Sequence, residues 1–275
     1  MRKRKNERII CVGGRVRAAG RQRKGRASEA DMKEDSTLKR LKSVMLGAKN
    51  AVVFTGAGVS VPSGIPDFRS AGGVYDGKFA GYPAEYMLSH DCLVTRPELF
   101  FGFYKTKMIY PSAKPNAAHL FFAELERRGK LLSVVTQNID GLHQDAGSER
   151  VWELHGSVRR NRCEGCGASY DEKFVLASEG VPKCPKCGGR VRPCVVLYGE
   201  NLDSDVLDGA VRDISRADVL LIAGTSLAVY PAAALPDCFN GKELVLINKT
   251  QTARDGIATL AVYGDVAEIA KYLAE

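Results

Sequence analysis

The sequence predicts an α/β fold: a doubly wound, Rossmann-like parallel sheet interrupted by a smaller inserted domain. Three observations predict it. Short continuous apolar runs recur at Ala51-Val52-Val53-Phe54-Thr55, Leu132-Ser133-Val134-Val135-Thr136, Val219-Leu220-Leu221-Ile222-Ala223 and Leu244-Val245-Leu246-Ile247. Parallel strands covered on both faces read this way, apolar at nearly every position. Helical segments intervene, including 116–128 and 202–216, and that alternation is what crossover connections require. Two Cys-x-x-Cys pairs break the alternation and mark an excursion from the sheet. A chain of 275 residues that is 45% hydrophobic can bury a large core beside a small second unit.

Residues 1–34 are expected to be a basic, disordered leader. The formal charge is +8, and residues 1–31 hold eleven Lys or Arg against Glu7, Glu29 and Asp31, so the remainder is neutral. Few large apolar residues and no helical period accompany that charge. Three origins stay open: a tail for nucleic acid or an acidic partner, an Arg-rich targeting segment poor in Ser, and a start-site artefact with Met32 as the true first residue, which is the favoured one. From Asp35-Ser36 a cap leads into Leu38, Leu41, Val44 and Met45 at helical spacing, ending near Gly47. Residues 35–275 form the main unit. An aromatic-rich insertion over about 72–115 is expected to be helical, and the cysteine segment spans about 157–196.

Cys163-x-x-Cys166 and Cys184-x-x-Cys187 stand seventeen residues apart. That spacing fits a zinc-binding domain with four thiolates on one tetrahedral ion, each pair forming a tight knuckle. Gly165, Gly167, Gly188 and Gly189 permit the turns. Such sites are closed to water, so one structural Zn2+ is expected, with two disulfides as the alternative. Cys11, Cys92, Cys194 and Cys238 are expected as small core fillers.

In doubly wound sheets ligands bind beyond the carboxyl ends of the strands. There this chain carries Gly56-Ala57-Gly58, Gln137-Asn138-Ile139-Asp140, Gly224-Thr225-Ser226 and Asn248-Lys249. Gly56-Ala57-Gly58-Val59-Ser60 follows its strand directly, and its glycines let backbone amides approach a pyrophosphate; an ordinary tight turn is the alternative. Val61 occupies the place of the third glycine of the dinucleotide fingerprint, which disfavours a hydride-transfer dehydrogenase.

The segment continues as Pro62-Ser63-Gly64-Ile65-Pro66-Asp67-Phe68-Arg69, and the whole resembles the sirtuin (Sir2) family of NAD-dependent protein deacylases, of bacterial or archaeal type. Thr136-Gln137-Asn138-Ile139-Asp140-Gly141-Leu142-His143, Glu153-Leu154-His155-Gly156-Ser157 and Gly224-Thr225-Ser226-Leu227 carry the same resemblance in order, with the cysteines between the last two. The likeness covers about 35–275. It implies NAD+ as cosubstrate and acylated-lysine proteins or peptides as partners. In that chemistry the acyl oxygen attacks the ribose C1′, nicotinamide leaves, and O-acyl-ADP-ribose and free lysine result.

By the same resemblance His155 is the general base, with Asn138 and Asp140 completing the catalytic group. The cofactor set it implies is Gly56, Ala57, Gly58, Val61, Asp67, Phe68, Arg69, Gln137, Asn138, Ile139, Asp140, Gly224, Thr225, Ser226, Asn248 and Val266. Ile139 backbone and the Asp140 carboxylate hold the carboxamide, Gln137 the ribose hydroxyls, Arg69 the pyrophosphate, Asn248 the adenosine ribose and Val266 the adenine, while Phe68 shields C1′ from water. Val195, Val196, Tyr198, Gly199 and Glu200 resemble the segment that takes substrate as an added strand. Tyr198 stands where Phe is commoner, Cys194 where a polar residue is usual, and Val61 where a hydroxyl bond worth about 1 kcal/mol is often made. His143 is expected to support the loop and His119 to pack within a helix.

Acyl choice rests on Tyr104-Lys105-Thr106-Lys107, which resembles the Tyr-x-x-Arg pair of succinyl-preferring sirtuins without its bidentate fork. Deacetylation is therefore expected to lead. Mono-ADP-ribosyl transfer from the same site is the alternative enzyme reading, and a nucleic-acid or chromatin-associated module built on the cysteines and leader the alternative without catalysis. Nucleic acid is not expected except through the leader. No apolar run reaches membrane-spanning length and no signal or anchor motif is visible, so the expected location is the cytoplasm.

Overall fold

The computed structural model describes residues 29–68, 70 and 72–275, with 29–35 as backbone alone. The expectations for residues 1–28 and for Arg69 therefore lie outside the described residues. Helix α1 (Glu29–Gly47) begins earlier than the cap expected at Asp35-Ser36, so both of those residues sit inside it and the last part of the expected leader is helical. Ala30, Met32, Lys33 and Glu34 all favour helix. β1 (Ala51–Thr55) follows, fully buried. Next come α2 (Ala84–Met87), α3 (His90–Thr95) and α4 (Pro97–Lys107), the helical insertion, preceded by turns rather than helix over its first residues.

α5 (Ala117–Arg127) is capped by Asn116, whose Oδ1 accepts from the Ala118 amide while its own amide donates to His119 Nδ1. The chain returns as β2 (Leu131–Thr136), then α6 (Leu142–Asp145) and β3 (Val151–Glu153). β4 (Gly156–Cys163), β5 (Ser169–Tyr170), α7 (Glu172–Ala177) and β6 (Val191–Val195) form the cysteine excursion, with an antiparallel sheet in the order β5-β4-β6. α8 (Ser204–Arg216), β7 (Val219–Ala223), β8 (Glu243–Asn248), β9 (Leu260–Tyr263) and α9 (Val266–Ala274) complete the fold.

The main sheet is parallel throughout, in the order β3-β2-β1-β7-β8-β9. Successive side chains of β1 serve opposite faces. Val53 joins the core under α1, α5 and α9, whereas Val52 and Phe54 join the core under α8. From β1 the chain builds outward to β2 and β3, then resumes on β1's other side with β7. That reversal makes a switch point between β1 and β7, where a ligand crevice opens. The edge strands β3 and β9 escaped the sequence reading because each is short, three and four residues long.

The two insertions pack on each other. Phe100, Phe101, Phe103 and Tyr104 of α4 share one buried cluster with Val158, Val175, Val195 and Leu197 of the cysteine excursion. They form a single smaller lobe facing the strand ends. Cys92 is buried as expected; Cys194 is exposed, because it lies on the outer face of β6, and is no core filler. Among the described residues no helix is long and apolar enough to cross a membrane.

Candidate active site and four-cysteine centre

A cavity of about 790 Å3 lies at the switch point, between the strand ends and the inserted lobe. That is within the usual range for sites holding a small ligand or cofactor, about 300–1,000 Å3. Its floor is backbone. The Gly58 amide donates to Gly224 O at 2.9 Å and the Gly56 amide to Ala223 O at 3.1 Å. A Cβ on Gly58 would stand 2.8 Å from Gly224 Cα, and Gly224 itself has φ 63°, a conformation open mainly to glycine. These positions let the chain lie low, leaving room where a pyrophosphate would sit.

Of the cofactor set expected from sequence, the structure brings Gly56, Ala57, Gly58, Val61, Asp67 and Phe68 to this cavity. Gln137, Asn138 and Ile139 join them from the end of β2, Gly224, Thr225 and Ser226 from β7, Asn248 from β8 and Val266 from α9. Gln137 Nε2 donates to Thr225 Oγ1 at 2.9 Å, tying two strand ends across β1. Asn248 Nδ2 donates to Thr225 O at 3.0 Å. Asp140 stands apart. Its Oδ1 accepts from the Leu142 amide at 2.8 Å and its Oδ2 from Ser60 Oγ at 2.7 Å, and it lines a second cavity of about 180 Å3 behind the first.

Asn138 is 8% exposed, held by Nδ2 bonds to Gly56 O and Ser60 Oγ, both 3.1 Å. Its amide donates to Thr136 Oγ1 at 3.0 Å, which also accepts from Thr55 Oγ1 at 2.8 Å. Behind them His143 Nε2 lies 3.0 Å from Thr55 Oγ1, and the His143 and His119 rings pack 4.8 Å apart. Burial pulls both histidines below their ordinary value of 6.5, His119 to about 4 despite the opposing charge of Asp140. They are neutral supports beneath the strand ends, as the sequence reading expected for His143.

His155 lies between the two walls of the cavity, part-buried, in the turn between β3 and β4. Its Nδ1 is 2.9 Å from Gln137 O. A carbonyl only accepts, so Nδ1 carries the proton and Nε2 keeps its lone pair. Burial lowers its affinity for a second proton, against a smaller opposing effect of the Gln137 carbonyl. A neutral imidazole with a free, basic Nε2 is therefore presented at neutral pH. Gly156 follows it with φ 72°, and a Cβ there would meet Cys194 O at 2.1 Å.

Val195, Val196, Tyr198, Gly199 and Glu200 all line the cavity from the lobe side. Tyr198 pairs its amide with Leu88 O at 3.0 Å and its carbonyl with the His90 amide at 2.9 Å, so strand addition here is left to other backbone groups. Burial alone would raise the Glu200 carboxyl, but Arg192, the Leu197 amide and His90 hold it down at about 2. Arg192 meets both Glu200 oxygens, at 2.7 and 3.0 Å. Sequence reasoning missed Tyr75, Leu88 and Met108, which also line the cavity; Tyr75 shares a hydrogen bond between hydroxyls with Tyr198 and packs edge-on against Phe68 at 5.4 Å. No spacing rule marks such residues.

The four cysteines converge as expected, with their Sγ atoms within 4.8 Å of one another. Cys163 and Cys187 sulfurs are 3.4 Å apart and those of Cys166 and Cys184 3.6 Å. A tetrahedron with Zn–S bonds of about 2.3 Å has edges near these lengths. The set thus suits a structural zinc, and Tyr170 supports it with its hydroxyl 2.9 Å from Cys184 Sγ.

A doubly wound sheet with a cavity at its switch point, one side walled by a four-cysteine lobe, defines a nucleotide-binding protein built for a second substrate. The Sir2 family profile matches residues 56–231. A Clostridium perfringens protein named NAD-dependent protein deacetylase is 54% identical over 237 residues, covering 86% of this chain and 97% of its own. One of the same name from Cutibacterium acnes is 54% identical over 78% of this chain and 88% of its own. Among solved structures, Sir2 with a deacetylated p53 peptide and 3′-O-acetyl ADP-ribose has TM-score 0.79 at 40% identity, covering 86% of this chain and 97% of that one. Sir2 with p53 peptide and NAD+ has TM-score 0.76, also at 40% identity, covering 85% and 95%. The chain belongs to the Sir2 family.

Proposed function

We propose that this chain is an NAD-dependent protein-lysine deacetylase, converting an acylated lysine, NAD+ and water into lysine, nicotinamide and O-acyl-ADP-ribose. The observation that carries the reading is His155: a neutral imidazole, its Nδ1–H committed to Gln137 O, with Nε2 free in a cavity shared by the strand ends and the lobe. Its role is to take a proton from a ribose hydroxyl, so that the oxygen can capture the acyl carbon. Gly56, Ala57 and Gly58 offer backbone to the pyrophosphate, assisted by Arg69. Gln137, Thr225 and Ser226 hold ribose and phosphate oxygens, Asn248 the adenosine ribose, and Val61, Asp67 and Val266 complete the cofactor wall. Asn138 and Ile139 position the nicotinamide, with Asp140 acting through Ser60 and the Leu142 amide. Phe68 keeps water from C1′, while Val195, Val196, Tyr198, Gly199 and Glu200 receive the peptide.

The four cysteines, Cys163, Cys166, Cys184 and Cys187, would hold zinc that keeps the lobe folded and takes no part in proton transfer. The proposed partners are acylated-lysine proteins and the proposed location the cytoplasm. The proposed domain division is a catalytic unit over 35–275 preceded by a basic leader, with insertions over about 72–115 and 157–196. Mass spectrometry of an acetyl-lysine peptide incubated with protein, with and without NAD+, tests the reading. NAD-dependent loss of acetyl is expected, reduced about a thousandfold in His155→Ala. Intact peptide with ADP-ribose left on protein would replace the reading with mono-ADP-ribosyl transfer.

A further inference from the structure

The loop that leaves β2 carries Ile139 and Asp140, runs into α6, and is held from two sides. On the sheet side the Gln137 amide donates to Thr55 O at 3.0 Å, and the Asn138 and Asp140 side chains bond to Ser60. On the other side three consecutive residues of β4 reach it. The Val158 amide donates to Ile139 O at 3.0 Å, Ser157 Oγ to the same oxygen at 3.4 Å, and Arg159 Nε to Asp140 O at 3.0 Å. The two terminal nitrogens of Arg159 then take the two oxygens of Asp145, at the end of α6, as a fork. Gly141, with φ 75°, lies against that side chain, and a Cβ there would run into it.

The second cavity, of about 180 Å3, shows what the clamp spans. It is lined by Asp140, Leu142 and Asp145 from the loop and by Tyr110 and Glu172 from the lobe, with Arg159 between them. Arg159 and Asp145 are 35% and 39% exposed, so as an ion pair they add little stability. What the pair adds is geometry, because a planar fork fixes direction as well as distance. The hydrogen bonds from Arg159 hold the Asp145 carboxyl below its ordinary value, so both partners are charged at neutral pH. β4 itself begins directly after His155 and ends at Cys163. The strand that carries the clamp therefore runs from the base to the four-cysteine centre.

We propose that Arg159 is a positioning residue for nicotinamide: by clamping Asp140 O and α6 it keeps the Asn138–Asp140 loop in the arrangement that holds the leaving ring, and so sets how readily the first step reverses. This deepens the deacylase reading and rests on it. In the reverse step the ring nitrogen of free nicotinamide gives its electron pair to C1′ as the bond from C1′ to the acyl oxygen breaks. That bond's pair returns to the acyl amide, remaking NAD+ and the acylated lysine. A loosened loop holds nicotinamide less well, so reversal weakens while the peptide segment across the cavity is untouched.

The test is exchange of isotope-labelled nicotinamide into NAD+ in the presence of acetyl-lysine peptide, measured beside deacetylation, Tm and the KM for each substrate. The variants are Arg159→Ala, Arg159→Lys, Asp145→Asn and the double variant of Arg159→Ala with Asp145→Asn. Arg159→Ala should raise the nicotinamide concentration for half-maximal exchange and the KM for NAD+ about tenfold each. KM for peptide should stay within about twofold and Tm within about 3 °C. Arg159→Lys, which keeps the charge and loses the fork, should fall between. Asp145→Asn should cost about threefold, and adding it to Arg159→Ala should cost nothing more. Unchanged exchange in Arg159→Ala, a peptide KM or Tm that moves in step with exchange, or additive losses in the double variant would each overturn the proposal. If Arg159→Ala does not fold, Asp145→Asn decides, since it leaves the bond from Arg159 to Asp140 O in place. Wild-type turnover reports on the deacylase reading separately: neither deacetylation nor exchange would sink that reading and the proposal together, whereas an active wild type with an indifferent Arg159→Ala sinks the proposal alone.

Discussion

Along the strand ends the cavity is walled by backbone and short side chains, with Gly58 bonded to Gly224, Gln137 bonded to Thr225 and Asn138 bonded to Gly56 O. Across from them the lobe presents side chains instead: Leu88, Tyr104, Met108 and Tyr198, placed by packing between two insertions. The first wall is fixed by sheet register, so its geometry follows from the fold. The second depends on a small unit whose antiparallel sheet is three strands wide and whose cysteines converge on one point. A cosubstrate common to every turnover suits the rigid wall, and a variable acyl group suits the adjustable one.

The sharpest way to break this comparison is to remove the metal that the cysteines suit. Treatment with a strong zinc chelator should abolish deacylation while the main sheet keeps its far-ultraviolet circular dichroism, because a structural zinc supplies folding energy to its own lobe. Full turnover after verified metal loss would show that the lobe stands without zinc.

Acid should strike the other wall. His119, His143 and His155 all have proton affinities lowered by burial from an ordinary 6.5, so below that pH the unfolded chain binds more protons than the folded one. Their contribution to stability is present above pH 6.5 and is lost as pH falls through their depressed folded values. Thermal unfolding should therefore show Tm dropping by about 5 °C between pH 7 and 5. Turnover should fall on the acid side as His155 gains its second proton. A Tm that rose on acidification would contradict the buried, neutral histidines.

The smallest expected effect lies where the walls touch. Tyr198→Phe removes only the hydroxyl shared with Tyr75, and with it a tie between the peptide segment and the loop bearing Phe68. Since Tyr198 is 38% exposed, a loss of about twofold to fivefold in kcat/KM is expected. Tyr75→Phe should match it and the double variant should add nothing further. Additive losses would mean that the two tyrosines act independently.

The strand-end wall was legible in the sequence because its requirements are local. Ala51–Thr55 is apolar up to its last residue and is followed at once by Gly56; Gln137 and Gly224 likewise follow their strands directly, and Asn248 ends its own. The cysteine spacing was legible for the same reason. Tyr75, Leu88 and Met108 were not, since nothing in an isolated helix or turn tells which residue will face a cavity made by packing two distant insertions. The early start of α1 shows the limit of cap rules: Asp35-Ser36 reads as a beginning, yet the good helix formers before it carry the helix back to Glu29. The engagement of both Asp140 oxygens by Leu142 and Ser60 likewise depends on loop geometry that residue identity does not encode.

The most direct test of the account is the molar ratio of nicotinamide released to O-acetyl-ADP-ribose formed when acetyl-lysine peptide and NAD+ are supplied together. A ratio of about one, with no nicotinamide released when peptide is omitted, is the predicted result, because the acyl oxygen held at the lobe is what displaces nicotinamide at the strand-end wall, and His155 then carries each acyl group on to the ribose oxygen. Nicotinamide released without peptide, or in large excess over the acyl product, would contradict it.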